Sequence, residues 1–213
     1  RVITAYGDDS VQQLVGQHVV VENASNLLTK KLEWGRLAAY LEQSTRYIYF
    51  DKKDAKGQYK YFVPDYLDEK TKKNYQKNLD KIFDNYSELV AKMTHYIQAN
   101  SKVPKKEQDM AWRLATRAQA CDAIRPVLPV ATKATVGIYA SGQALESLIM
   151  HLLSDPLPEA VKTGADMLRE ARKNIPSFLE RADKPDRGGA LIAYRANTAK
   201  NVAKLTQKHL KDS

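Results

Sequence analysis

The sequence predicts a helix-dominated α+β fold, on two observations. Over most of the chain, apolar residues recur at three- and four-residue intervals, the period that puts side chains on one helical face. Against them stand only three short runs rich in β-branched and aromatic residues, enough for a small sheet and too few for an all-β protein. With 213 residues, 43% of them hydrophobic, the chain can bury one or two real cores.

The longest predicted helix carries Tyr75, Leu79, Ile82, Phe83, Tyr86, Leu89, Val90, Met93 and Ile97 on one face. Met110, Leu114, Ala118 and Cys121 define a second, with Met110 and Leu114 expected in the core. Ile138, Leu145, Leu148, Ile149 and Leu152 define a third, and Met167, Leu168 and Ala171 a fourth. Pro104, Pro129, Pro156, Pro158 and Pro176 punctuate these segments, because proline lacks the N–H that continues a helix. The extended runs are His18 to Val21, Arg46 to Phe50 and Tyr59 to Val63. Polar Lys52 to Gln58, with Gly57, is placed to close a hairpin between the last two, so the three runs are expected to share an antiparallel sheet flanked by helices.

Asp183 to Gly189, Asp-Lys-Pro-Asp-Arg-Gly-Gly, is the clearest break. Beyond it Lys200, Lys204 and Lys208 fall at four-residue spacing along one side of a helix. The expected organisation is a main domain over 1–182, then a linker and basic helical extension over 183–213.

The net charge of +9, from 34 Lys and Arg against 25 Asp and Glu, suits an anionic partner such as a phosphorylated metabolite. The basic residues are scattered and no aromatic residues interleave with them as in a strand-binding platform, so nucleic acid is not expected. No stretch approaches the ~18–20 apolar residues that would span a bilayer. The single Cys121 allows no internal disulfide, fits a reducing compartment and is expected to pack as a small hydrophobe; a cytoplasmic protein is expected. The chain opens on Arg1 without a Met, so sequence upstream is expected. His18, His95, His151 and His209 show no metal-ligand spacing, and His151 in its apolar run is expected as a hydrogen-bonded core or interface histidine. Gly188-Gly189 lacks the Lys-Ser/Thr of a phosphate loop.

One polar constellation remains, Glu42-x-Ser44-x-Arg46. In an extended segment alternate residues share a face, so an acceptor, a hydroxyl and a guanidinium would lie on one surface. Such a set suits a nucleotide, with arginine forked onto phosphate and the other two on sugar or base edges. A surface polar cluster is the plainer alternative.

The surrounding stretch, Trp34-Gly35-Arg36-Leu37-Ala38-Ala39-Tyr40-Leu41-Glu42-Gln43-Ser44-Thr45-Arg46-Tyr47, resembles the signature R-H-R-x-x-S-x-N-E-x-S-x-R-Y of the flavin-dependent thymidylate synthases. Arg36, Glu42, Ser44, Arg46 and Tyr47 match; Trp34, Gly35, Ala39 and Leu41 stand where the family has Arg, His, Ser and Asn. Tyr6-Gly7-Asp8-Asp9-Ser10-Val11 resembles the family's N-terminal Y-G-H-x-S-x-x-E, Arg125-Pro126-Val127-Leu128-Pro129 its R-x-x-L-P, and Asn174-Ile175-Pro176 the proline closing its following helix. The resemblance implies an antiparallel sheet with flanking helices and methylation of dUMP to dTMP, with FAD as cofactor and NADPH and methylenetetrahydrofolate as co-substrates. It implies that Glu42, Ser44, Arg46 and Arg125 contact dUMP, or another phosphorylated nucleotide, and that Ser10 and Arg36 serve the cofactor. It also implies a homotetramer with sites between subunits.

The departures fall largely on the flavin side, and the nucleotide side is partly kept. Asp8 and Gln13 replace a flavin-contacting His and a Glu, and Ser141, Gln143 and Leu152 stand where the family has an Asn and two Arg for flavin and nucleotide. Three readings follow. The chain is a divergent flavin-dependent thymidylate synthase; or a degenerate, non-catalytic copy that lends structure or half a site to an active second domain or subunit; or an unrelated basic helical binding protein.

Overall fold

The computed structural model of the chain describes residues 9–210. It holds three strands, β1 (Gly16–Ser25), β2 (Ala38–Glu42) and β3 (Lys133–Ser141), and six α-helices among the described residues. The helices are α1 (Asn26–Leu32), α2 (Glu69–Ala99), α3 (Met110–Ile124), α4 (Gly142–Leu153), α5 (Pro158–Ala171) and α6 (Gly188–His209). The strands form one antiparallel sheet in the order β1-β3-β2. The α+β class read from the sequence therefore stands.

Helix starts follow capping chemistry. Asp68 Oδ1 accepts from Lys70 N and Thr71 N, both at 3.0 Å, ahead of α2. Asp109 Oδ1 accepts from Trp112 N at 2.8 Å ahead of α3, and Ser141 Oγ from Ala144 N at 3.3 Å ahead of α4. Pro158 opens α5 at its first turn, where the missing N–H is no loss.

The chain divides into two compact units. One comprises Glu22–Leu27 and Glu42–Thr135. Its core is aromatic, with Phe50, Tyr59, Tyr61, Phe83 and Tyr86 buried beside Leu79, Val90 and the buried Cys121. Two expected strands are absent here: Arg46 and Tyr47 lie in a turn, Ile48 to Phe50 are irregular, and Tyr61 makes only an isolated antiparallel bridge to Thr132. Their aromatic side chains are committed to α2 instead of a ladder. Tyr59 stacks on Phe83 with centroids 5.2 Å apart, Tyr59 Oη donates to Asp84 at 2.6 Å, Tyr61 Oη to Asp80 at 2.9 Å and Tyr49 Oη to Ser87 O at 2.9 Å. The Asp84 carboxylate, with burial, pushes the Tyr59 hydroxyl up to about 12. The Lys52–Gln58 loop closes through Asp54 N to Gln58 O at 2.9 Å, but with no strands beside it this is not the expected hairpin.

Met110 and Leu114 are exposed, against expectation. Helix α3 buries Thr116, Ala120 and Cys121 instead, a face whose small residues let it approach α2.

The other unit comprises the described residues up to Val21, Leu28–Leu41 and the described residues from Val136 onward. Ile138, read as helical, is in β3, where Ala134, Val136, Ile138 and Ala140 are buried in strict alternation. Leu145, Leu148, Ile149 and Leu152 line the buried face of α4, as expected. Helix α5 crosses α4 at Gly164, where an added Cβ would lie 2.9 Å from Leu152 Cβ. The expected break at 183–189 is shorter than read, because α6 already begins at Gly188. No helix among the described residues is long and apolar enough to cross a membrane.

One buried carboxyl is out of place in this apolar unit. Glu146, 7% exposed on α4, has its pKa raised above 4.5 by burial, opposed in part by a hydrogen bond from Gln12. The neutral acid is also the form that can donate to Gln12 Oε1, which has no partner among the described residues. A carboxyl with a raised folded pKa contributes stability in full below its unfolded value, and that contribution is lost as pH rises through the folded value. Wild-type stability should therefore fall as pH climbs from 4.5 toward neutrality, and Glu146→Gln should flatten that slope. Urea melts of both proteins across this range test it; an unchanged slope in the variant would assign the pH dependence elsewhere.

Candidate functional site

Glu42, Ser44, Arg46 and Arg125 all belong to the unit with the aromatic core. Glu42 ends β2, and Gln43 N donates to Thr135 O at 2.9 Å in the last bond of the ladder. Ser44 and Arg46 follow outside the strand, so the expected strand alternation does not align them. A local turn does. Ser44 Oγ accepts from Arg46 N at 3.2 Å and lies 3.5 Å from Arg46 Nε. The Arg46 guanidinium sits 5.3 Å from the centroid of Tyr47, a contact of ~0.5–1 kcal/mol at an exposed site. Arg46 is thus steered by its neighbours while remaining exposed. Arg125 follows the last residue of α3 and pairs with Asp122 at 3.2 Å, both side chains about half exposed.

The second feature lies wholly in the other unit. A cavity of about 490 Å³ opens between the Trp34–Tyr40 segment and helix α4. Ala144, Leu148 and Leu152 line it together with Trp34, Leu37 and Tyr40. Lys31 and Asp155 face each other at its edge, paired at 2.7 Å with side chains only 25% and 18% exposed. Arg36 is the remaining charge of the lining. His151 is hydrogen-bonded as expected but exposed and not in the core; its Nδ1 lies 2.9 Å from Ser147 O, and donating there leaves Nε2 with the ring's lone pair. The Arg195 guanidinium approaches the same ring at 3.4 Å.

Several positions where the resemblance expects flavin or nucleotide contacts make contacts within the chain. Gln13 Nε2 donates to Gln143 Oε1 at 2.8 Å, so two of them are bonded to one another as neutral amides. Ser141 is the N-cap of α4, and Leu152 is 1% exposed in the core. At Gly35, an added Cβ would lie 2.9 Å from Tyr40 Oη, so the Tyr40 hydroxyl fills the room a side chain would need. Ser10 is exposed in the 3-10 turn Asp9–Leu14, and Tyr6 to Asp8 lie outside the described residues.

The family described as thymidylate synthase complementing protein, which is the flavin-dependent thymidylate synthase family, matches residues 1–177. The chain belongs to that family. It is similar to a UPF0159 protein of Chlamydia pneumoniae, 37% identical over 211 residues that make up 98% of this chain and 40% of that protein. A UPF0159 protein of Chlamydia muridarum is 31% identical over 212 residues, again 98% of this chain and 40% of the relative. One from Thermoplasma acidophilum is 25% identical over 222 residues, 93% of this chain and 44% of the relative. The chain thus spans less than half the length of the curated relatives it matches.

Lys31, Tyr40 and Asp155 escaped the sequence reading, since nothing in their spacing joins α1, β2 and the end of α4. The Lys31–Asp155 pair falls between the surface regime of ~0–1 kcal/mol and the buried regime of ~3–5 kcal/mol for loss of one partner. Asp155 Oδ1 also accepts from Leu157 N at 2.8 Å, at the entry to α5. Lys31→Ala should therefore cost about 1–2 kcal/mol, whereas Arg169→Ala, in an exposed pair with Asp166, should cost under ~0.5 kcal/mol. Chemical denaturation of both variants checks the contrast.

Proposed function

We propose that this chain is a nucleotide-holding domain of the thymidylate synthase family that keeps the dUMP corner and has given up its own flavin site. The observation that carries the reading is the fate of the flavin positions: Gln13 and Gln143 bond to each other, Ser141 caps a helix, Leu152 is core, and Tyr40 stands where a residue-35 side chain would go. FAD brings a diphosphate that needs cationic partners, and none of these positions supplies a cation. At these positions the residues present do not fit FAD. Methylation of dUMP with methylenetetrahydrofolate and NADPH is then the work of an assembly, in which a second thymidylate-synthase-like domain or subunit supplies the flavin.

The nucleotide side supports the positive half of the reading. Arg46 is held ready by Ser44 and Tyr47, with Glu42 two residues ahead of Ser44 for sugar or base edges. Arg125 must exchange Asp122 for phosphate. An exposed ion pair of ~0–1 kcal/mol yields to charge-assisted hydrogen bonds of ~1.5–3 kcal/mol. The relatives' greater length is consistent with a further domain in the working protein, and the synthase-like domain of this chain is taken to run to about residue 182, ahead of the basic α6 extension. Whether the assembly is the homotetramer of the family is part of the same proposal.

Two measurements test it. The purified chain should be colourless and remain so after equilibration with FAD and desalting; a stoichiometric yellow protein would restore an independent flavin-dependent synthase. Calorimetry with dUMP should show binding that Arg46→Ala weakens about tenfold or more, the loss expected of one charge-assisted contact. If neither protein binds dUMP and the variant is only less stable, the corner is structural.

A further inference from the structure

Helix α6 lies beyond residues 1–177, which the family model matches, and holds none of the residues of the dUMP corner. Along its 22 residues only Gly188 is buried, and from residue 197 onward every described residue of the helix is exposed. The side turned to the body is marked by Ile192, Arg195 and Ala196, which are half-buried, with Arg195 reaching the His151 ring. At about 100° per residue a second face, roughly a third of a turn away, carries Leu191, Tyr194, Val202 and Leu205. These four are 38%, 68%, 56% and 57% exposed. With Thr198 between them they advance by three, four, four and three residues, a mean of about 3.5, within an arc of roughly 80°. Such a seam is narrower than the stripe a helix lays on a globular core, and it matches a single partner helix.

Charge selects among the occupants. The helix contains Arg195, Lys200, Lys204 and Lys208 and no Asp or Glu. Helical spacing puts Lys204 and Lys208 along the edge of the seam away from the body, and Arg195 along the other. A second copy laid on the seam in either direction would set cations against cations. A lipid surface is disfavoured by the narrowness of the seam and by Lys200, which projects from the opposite side of the helix, away from headgroups. An apolar seam with Asp or Glu on its flanks satisfies both the shape and the charge.

We infer that α6 is a docking helix for an acid-flanked amphipathic helix, which lies along residues 191–205 with its carboxylates on Lys204 and Lys208. The contact runs for about 21 Å of helix axis.

The probe is a fluorescein-labelled peptide of about three heptads with Leu along its seam and Glu on its flanks; the control peptide has Lys on the same flanks. Fluorescence anisotropy should show saturable binding of the Glu peptide to the chain, with the Lys peptide at least about tenfold weaker. Leu205→Gln, an exposed change that keeps helix propensity, should weaken the Glu peptide about tenfold. Lys204→Glu together with Lys208→Glu should reverse the preference between the peptides. No saturable binding of the Glu peptide, equal affinity for the two peptides, or an affinity indifferent to Leu205→Gln would overturn the inference. So would either rival occupant. Co-sedimentation with phosphatidylserine vesicles that Leu205→Gln abolishes would mark a lipid surface, and a concentration-dependent dimer lost in that variant would mark a second copy. Failure here leaves the proposed function standing, since flavin retention is read by absorbance and dUMP binding by calorimetry.

Discussion

Ser141 is the residue on which one half of this chain turns. It ends β3, the strand with a neighbour on both sides, and its hydroxyl accepts the Ala144 N–H that starts α4. Gly142 N donates to Val15 O at 2.9 Å at the same junction. With strand and helix joined without an intervening loop, the alternation of β3 fixes the rotation of α4. That rotation decides the rest: Leu145, Ile149 and Leu152 go into the core, Leu148 and His151 reach the cavity, and Gln143 meets Gln13. Ser141 therefore serves the start of α4.

The two units reach stability by different means. The unit around α2 relies on tyrosines whose rings fill the core and whose hydroxyls reach carboxylates on the helix surface, Tyr59 to Asp84 and Tyr61 to Asp80. Each ring buries apolar area while its polar end stays satisfied, which lets irregular backbone substitute for strands. The unit around α4 and α5 relies on aliphatic packing with close helix approach at Gly164. Glu146 and Gln12 are the polar exception inside it, and they tie the Asp9–Leu14 turn to α4, with Gln12 Nε2 also donating to Phe178 O at 2.5 Å.

Membership of a catalytic family leaves open which of its ligands a given copy holds. Here the retained and the lost positions separate only in part by location. Of the positions shared with the family signature, Ser44, Arg46 and Tyr47 lie in or beside one turn where local contacts pre-set Arg46, Glu42 ends β2 and Arg36 lines the cavity of the other unit. Of the substituted positions, Gln13 and Gln143 pair, Ser141 caps α4 and Leu152 is core, whereas Trp34 and Leu41 are exposed.

Much of this was legible in the sequence. The long helix around Phe83 and Tyr86, the buried Cys121, the apolar face of α4 and the β1 run of His18 to Val21 were fixed by periodicity and residue type. Resemblance in the 34–47 signature identified the family. Tertiary structure alone decided what local pattern leaves ambiguous. Ile138 fits a helical period with Leu145 yet lies in a strand, because its neighbours Val136 and Ala140 are buried at period two. Tyr47 to Phe50 and Tyr59 to Val63 have strand composition but spend their rings on α2, since a buried aromatic surface was available there. Met110 and Leu114 are apolar at the right spacing but on the face that α2 does not cover. The cavity was invisible for the same reason: Lys31, Tyr40, His151 and Asp155 come from separate elements, and only the packing of those elements brings their side chains to one place.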